Sequence, residues 1–345
     1  MSKRSNKKVT IFDVAREADT SYSTVSRVFN DGSKVALATR QRVIEAAERL
    51  GYIPNQQARS LAGAQTQIIG VLTPRLDNGY VSSIINGIDE EIVGTDYRLL
   101  LYTTHRAEQD EEKYVNRIVN DLAEGLIVIV PRHPEAYLAA LRDKNFPYVF
   151  VDHQGISENS ISISATNFRG AYEATEYLIN SGHRRIGFIT GNLDIRSGLD
   201  RLHGYRAALQ DYGIEVDQSL IRNGDFLPKS GYIAAQALLE LENCPTAIFA
   251  SNDLMAFGAI NAIIDAGLHV PQDISVIGFD NIPQTELFRP RLTTVHQPLE
   301  EMGRIATRML LQQIQDPSKV PHQGTLLTTE LVIRDSCRPL NTSLS

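Results

Sequence analysis

From Gln67 onward the chain alternates short, nearly continuous apolar runs with longer stretches of helical periodicity. The runs are residues 68–72, 99–102, 126–130, 148–151, 186–189, 247–250 and 275–279, and the intervening stretches are 81–93, 108–122, 135–143, 168–181, 200–212, 230–241 and 254–266. A strand without a polar face must be covered on both sides, so this pattern predicts α/β layers with parallel sheets between helices. The unit recurs too often for one small sheet. Two doubly wound parallel-sheet lobes are expected: lobe one from residues 65–164 and 295–325, lobe two from 165–294 and 326–338. Segments near 296–315 and 326–334 then cross back between them. A length of 345 residues and a hydrophobic share of 42% can fill cores of that size.

A different pattern precedes this body. Thr10 and Asp13 have the T-x-x-acid form of a capping box, so a helix is expected from Thr10 to about Ala18. After the gap Ala18-Asp19-Thr20, Ser21 is a good N-cap for a second helix, giving a helix-turn-helix. At about 100° per residue, Val25, Val28 and Phe29 share one face, and Tyr22, Ser23, Ser26 and Arg27 share the other. A third helix is expected over residues 39–50. Periodicity alone equally permits a small bundle with a solvated face, and charge shifts the balance. Residues 1–65 carry eleven Lys/Arg against six Asp/Glu, while the whole chain has a net charge of −7. A basic head on an acidic body is what neutralising phosphates requires.

These head residues carry a resemblance. Residues 9–63, with V-T-x-x-D-V-A, S-x-x-T-V-S-R-V, T-R-x-x-V-x-x-A-x-x-x-L and G-Y-x-P-N in order, resemble the head of the lactose-repressor/galactose-repressor family of bacterial transcriptional regulators. The resemblance implies that Tyr22, Ser23 and Arg27 read bases and that Thr10, Ser21, Thr24 and Asn30 hold phosphates. It makes residues 1–53 the DNA-binding domain, 54–64 a hinge helix and 65–338 an effector-binding and dimerisation core. In that hinge, Leu61, with Ala62 beside it, would enter the minor groove. Two positions depart from the family pattern: Asp19 stands where Gly is common, and Ala36 replaces a capping Ser, a loss of roughly 1 kcal/mol.

Open parallel sheets bind ligands beyond the carboxyl ends of their strands. The residues following the apolar runs are Pro74-Arg75, Pro131-Arg132, Asp152, Gly191-Asn192, Asn252-Asp253 and Asp280-Asn281. Carboxylates, amides and guanidinium groups match the paired hydroxyls of a sugar. Asp253, just before a helix, is expected to cap it instead. Family motifs are present at residues 200–205, 250–253 and 276–280, and the resemblance implies that Arg201, Asn252 and Asp280 grip the effector, with Phe226 stacked on it. Asp152 and Gln297 complete the candidate set.

Other classes find little support. The sequence has no nucleophile elbow, dinucleotide fingerprint, phosphate loop or H-E-x-x-H pattern, and its eight His are scattered. Cys244 and Cys337 have no ligand-like spacing, so neither a metal nor a cofactor is expected. No long apolar run and no signal-like start are present, which predicts a cytoplasmic protein with no membrane partner. The reading is a homodimeric, non-enzymatic repressor. It would bind a near-palindromic operator and be controlled by a small sugar or, alternatively, by a purine-type corepressor.

Overall fold

The computed structural model describes residues 9–30, 35–52, 66–104, 108–121, 123–153, 161–316 and 324–340. The chain divides into two compact units, Met1–Gln67 and Ile68–Ser345. The expected hinge, with Leu61 and Ala62, lies outside the described residues.

In the first unit, α1 is Ile11–Glu17, α2 Tyr22–Asn30 and α3 Leu37–Leu50. The Asp13 carboxylate accepts both the Thr10 backbone N–H at 3.0 Å and its hydroxyl at 2.7 Å, fixing the start of α1. Asp19 turns the chain at φ 46°, a left-handed conformation that Asp tolerates better than most side chains. Ser21 Oγ accepts the Thr24 N–H at 3.1 Å and caps α2. The third helix starts at Leu37, ahead of the expected Thr39, and Ala36 gives it no side-chain cap. Val14, Val25, Val28, Val43 and Ala46 form the small core that joins all three helices.

The second unit holds two six-stranded sheets. Sheet one contains β1 (Ile68–Thr73), β2 (Arg98–Thr103), β3 (Gly125–Ile129), β4 (Tyr148–Val151), β5 (Ser162–Ala165) and β11 (Thr325–Leu327), in the order β11-β5-β4-β3-β1-β2. Sheet two contains β6 (Ile186–Ile189), β7 (Ile221–Arg222), β8 (Ala247–Ala250), β9 (Ser275–Asp280), β10 (Thr293–His296) and β12 (Glu330–Val332), in the order β12-β10-β9-β8-β6-β7. Pairing is parallel except for the antiparallel edge β10–β12. In each lobe the first strand lies between the second and third, which is where a doubly wound sheet opens a crevice.

The chain passes between lobes three times: after β5, after β10 and after β11. Two of these points differ from expectation. His296 still pairs with Asp280 in sheet two, so the second crossing follows residue 296 rather than preceding it. Leu326 pairs with Ser164 in sheet one, so the last crossing follows Leu327. Strands β5, β7, β10, β11 and β12 are absent from the apolar runs because they are short, polar or peripheral.

Lobe one is closed by two helices, α4 (Gly79–Ile92) and α12 (Leu299–Gln315), which pack through glycines. A methyl group at Gly87 would strike the backbone carbonyl of Glu300, and one at Gly303 would strike that of Ile84. Neither obstacle is a movable side chain. Gly87→Ala is therefore expected to lower stability by about 1–3 kcal/mol in urea titration, through separation of the two helices. An unchanged midpoint would refute this close approach.

Candidate functional site

Beyond the carboxyl ends of both sheets lies a cleft of about 740 Å³. Lobe one contributes Arg75, Tyr80, Arg132 and Asp152, and lobe two contributes Ser197, Arg201, Phe226, Asn252 and Asp280. Strained backbone gathers here. Of the eight non-glycine residues with positive φ among those described, Val130 (52°), Asp152 (60°), Phe226 (67°) and Asp280 (115°) all line the cleft. Such conformations cost about 1–3 kcal/mol each and cluster where side chains must be aimed.

Arg201 is the fixed centre of the lobe-two wall. On α8 (Arg196–Asp211), its side chain is only 3% exposed. Its Nε donates to Asn167 Oδ1 at 2.9 Å and its Nη1 to the Ser251 carbonyl at 2.5 Å. The guanidinium lies 3.9 Å from the centre of the Phe279 ring and 3.5 Å from Asp280 Oδ1. Asp280 also accepts Gln297 Nε2 at 2.7 Å. Facing it, Asp152 accepts the Ser197 hydroxyl at 3.2 Å, a hydrogen bond from one lobe to the other.

Burial pushes the Asp280 carboxyl up to about 7; Arg201 and Gln297 pull it back down, while Asp152 adds to the rise. A ligand donating a hydroxyl or N–H to Asp280 favours the carboxylate, so binding releases a proton below that value. Affinity is then expected to rise with pH through about 6–7 and level off above, and Asp280→Asn should flatten the profile. Stability without ligand runs the other way. The folded carboxyl holds its proton to about 7, above the ordinary value of 3.8, so stability falls as pH rises between the two. Calorimetric titrations from pH 5.5 to 8 read the first effect, and melting curves without ligand read the second.

The candidate residues separate in the structure. Arg201, Phe226, Asp280 and Asp152 line the cleft together. Asn252 lines it too, but it is the residue that caps α10 (Asp253–Asp265): its Oδ1 accepts the Met255 N–H at 2.9 Å and its Nδ2 donates to the Phe226 carbonyl at 3.2 Å. The capping role expected of Asp253 thus belongs to Asn252. Asp253 is fully buried and accepts the Ile282 N–H at 2.9 Å and the Thr294 hydroxyl at 2.5 Å. Gln297 does not reach the cleft wall and instead stands behind Asp280. Phe226 rests against Gly191, where a Cβ would collide with its ring. Sequence reasoning missed Tyr80 and Ser197. The Tyr80 hydroxyl is buried beside the Asp152 carboxylate; burial first, and then that carboxylate, push it well above the ordinary tyrosine value.

In the head, Tyr22, Ser23 and Arg27 are exposed together on α2, with Thr10 and Ser21 exposed and Thr24 half-buried. Ser21 Oγ lies 2.8 Å from both Ser23 Oγ and Thr24 Oγ1. The Asn30 side chain lies outside the described residues. Among the described residues no cluster of His, Cys, Asp or Glu could hold a metal ion, and no helix is long and apolar enough to cross a membrane.

Comparison with known proteins adds independent findings. Residues 10–55 match the family described as bacterial regulatory proteins, lacI family, and residues 175–337 match a periplasmic binding protein-like domain. The HTH-type transcriptional repressor PurR of Edwardsiella ictaluri is 40% identical, over 88% of this chain and 90% of its own. Its namesake in Escherichia coli is 37% identical, over 90% and 92%. The lac repressor dimer bound to operator and the anti-inducer ONPF is 32% identical, covering 96% of this chain and 100% of that one with a TM-score of 0.85. The transcriptional regulator CelR in complex with cellobiose is 30% identical, covering 95% and 100% with a TM-score of 0.72.

Proposed function

The chain belongs to the lacI family of bacterial regulatory proteins and is a DNA-binding transcriptional regulator, not an enzyme; from that premise we propose that a small sugar or sugar derivative, bound between its lobes, releases it from operator DNA. The observation that carries this reading is the buried Arg201–Asp280 pair beside the Phe226 ring. A guanidinium and a carboxylate bond to neighbouring hydroxyls, while an aromatic face covers the apolar side of a sugar ring. In this proposal Arg201, Asp280, Asp152 and Phe226 contact the effector, Asn252 shapes the wall, and Gln297 positions Asp280.

The head supplies the reader. Tyr22, Ser23 and Arg27 contact base edges, and Thr10, Ser21, Thr24 and Asn30 contact phosphates. Residues 1–53 form this reader, 54–64 the hinge and 65–338 the effector-binding core. The protein works as a homodimer on a near-palindromic operator, since a two-fold dimer reads two equivalent half-sites. Leu61 and Ala62 of the hinge meet the minor groove. A ligand that holds the lobes together at one angle sets the spacing of the two hinges, and so the affinity for DNA. Such coupling requires unequal effector affinity in the two states.

A nucleobase corepressor is the second reading. The flat Phe226 ring stacks on a purine as well as on a sugar, and Asp280 accepts an N–H as readily as an O–H. Operator binding by the full chain against a panel of mono- and disaccharides and purines separates the two. A sugar that weakens binding supports the first, and a purine that tightens it supports the second. No response to either class would overturn both.

A further inference from the structure

The three crossings between the lobes and the Arg201–Asp280 pair form one continuous polar chain. At the first crossing, Asn167 opens α7 (Asn167–Asn180) directly after Thr166 and is 1% exposed. Its Nδ2 donates to the Ala165 carbonyl at 3.2 Å, and its Oδ1 accepts the Arg201 Nε at 2.9 Å. At the second, Gln297 donates its side-chain amide to Asp280 at 2.7 Å and its backbone N–H to the Asp280 carbonyl at 3.3 Å. Arg201 and Asp280, 3.5 Å apart, join these two ends.

Two threonines tie the third crossing to the first. The Thr166 N–H donates to the Leu327 carbonyl at 2.9 Å, and the Thr329 N–H donates to Thr166 Oγ1 at 3.0 Å. The Thr329 hydroxyl reaches the Thr166 carbonyl at 3.3 Å, and the two hydroxyl oxygens lie 3.0 Å apart. One assignment satisfies every contact: the Thr329 hydroxyl donates to that carbonyl, and the Thr166 hydroxyl donates to Thr329 Oγ1. Thr329 is 5% exposed, so water competes little for these bonds. A Cβ at Gly170 would meet Thr329 Oγ1 at 2.6 Å and Val295 Cγ1 at 2.8 Å, so α7 rests directly on the third crossing and on the strand leading into the second. None of Thr166, Asn167 and Thr329 lines the effector cleft. The chain therefore leads from the effector pair outward to the points about which the lobes turn. Without the threonine clamp the third crossing would turn by itself, and the lobes would change angle without moving Asn167 or Arg201. We infer that Thr166 and Thr329 are positioning residues of the effector response: their reciprocal bonds make the crossings turn together, so that a ligand fixing Arg201 and Asp280 also fixes the lobe angle. This rests on the effector reading given above.

The test uses the full chain and whichever mono- or disaccharide or purine of the panel shifts its operator binding. Two quantities are measured: the affinity of that compound without DNA, by calorimetry, and the ratio of operator affinities with and without it at saturation. Thr166→Val/Thr329→Val keeps both shapes and removes both hydroxyls. In that pair the compound should bind within about twofold of the wild type, while the ratio moves toward one by at least about threefold. Thr166→Ser/Thr329→Ser keeps the hydroxyls and should restore most of the response. Thr329→Val alone is measured beside them and decides the matter should the valine pair melt early. A valine variant that melts with the wild type and keeps its ratio would overturn the inference and leave the effector reading standing. Equal loss in the valine and serine pairs would also overturn it, since packing rather than bonding would then be at work. A wild type that answers to no member of the panel would overturn the effector reading, and this inference with it.

Discussion

Arg201→Ala is expected to lower the stability of the body by about 3–5 kcal/mol and to abolish the response to effector, while the head keeps its hold on operator DNA. The guanidinium is 3% exposed and serves several partners at once: Asp280, Asn167, the Ser251 carbonyl and the face of Phe279. Removing it leaves a buried carboxyl without its cation and two acceptors without their donor. Asp280 has one escape, which is to keep its proton, and burial already pushes it that way. The deficit should therefore be larger at pH 8 than at pH 5.5. Arg201→Lys keeps the charge but loses the flat group over Phe279 and the fork that reaches separate acceptors, so it should fall between. Urea midpoints at both pH values, with effector titrations beside them, read the outcome. An Arg201→Ala protein with wild-type stability and affinity would sink the assignment of this residue as the centre of the cleft.

Much of this cleft was legible because parallel strands buried on both faces read as unbroken apolar runs. Residues 148–151 and 247–250, for example, are buried throughout. The residue after such a run then marks the crevice, as Asp152 does. The same logic failed for β5, whose Ser162-Ile163-Ser164-Ala165 alternates like a half-exposed strand yet is wholly buried. Its serines are almost fully buried, at 3% and 2% exposure, a tertiary fact with no local signature. The strand-end reading also named Arg75 and Arg132 without carrying them into the effector set, although both line the cleft.

Exchange of roles between neighbours was harder to foresee. Asn252 and Asp253 are both good helix caps, and only the backbone path decides which side chain turns back to the helix. Asp253 turns instead toward Ile282 and Thr294, partners distant in sequence. Tyr80 sits within the first turn of α4 rather than at a strand end, so no rule of position singles it out. Gln297, named with Asp152 in the candidate set, bonds Asp280 and does not line the cleft. In the head the capping box and the polar face of α2 were both visible, because local rules fix them.

That exposed face carries the other large expected effect. Tyr22→Ala/Arg27→Ala should lower the preference for operator over unrelated DNA by about 2–6 kcal/mol, while melting with the wild type. Each side chain is proposed to touch a different base, and losses at separate base pairs, about 1–3 kcal/mol each, add approximately. Both are exposed on α2, Tyr22 at 57%, and neither belongs to the Val14–Val25–Val43 core. Tyr22 does lie 5.5 Å from the Phe12 ring, but that ring is itself 60% exposed, so the contact adds little to stability. Arg40→Ala is the comparison, an exposed cation on α3 away from this face. Losing a charge that meets only phosphate weakens operator and unrelated DNA alike and lowers the salt slope by about one charge. Losing a base contact instead lowers the ratio between them. Binding titrations against operator and scrambled duplexes at several salt concentrations distinguish the two. If the double variant weakened both duplexes equally, α2 would hold the backbone rather than read the bases, and the reader would have to be sought elsewhere in the head.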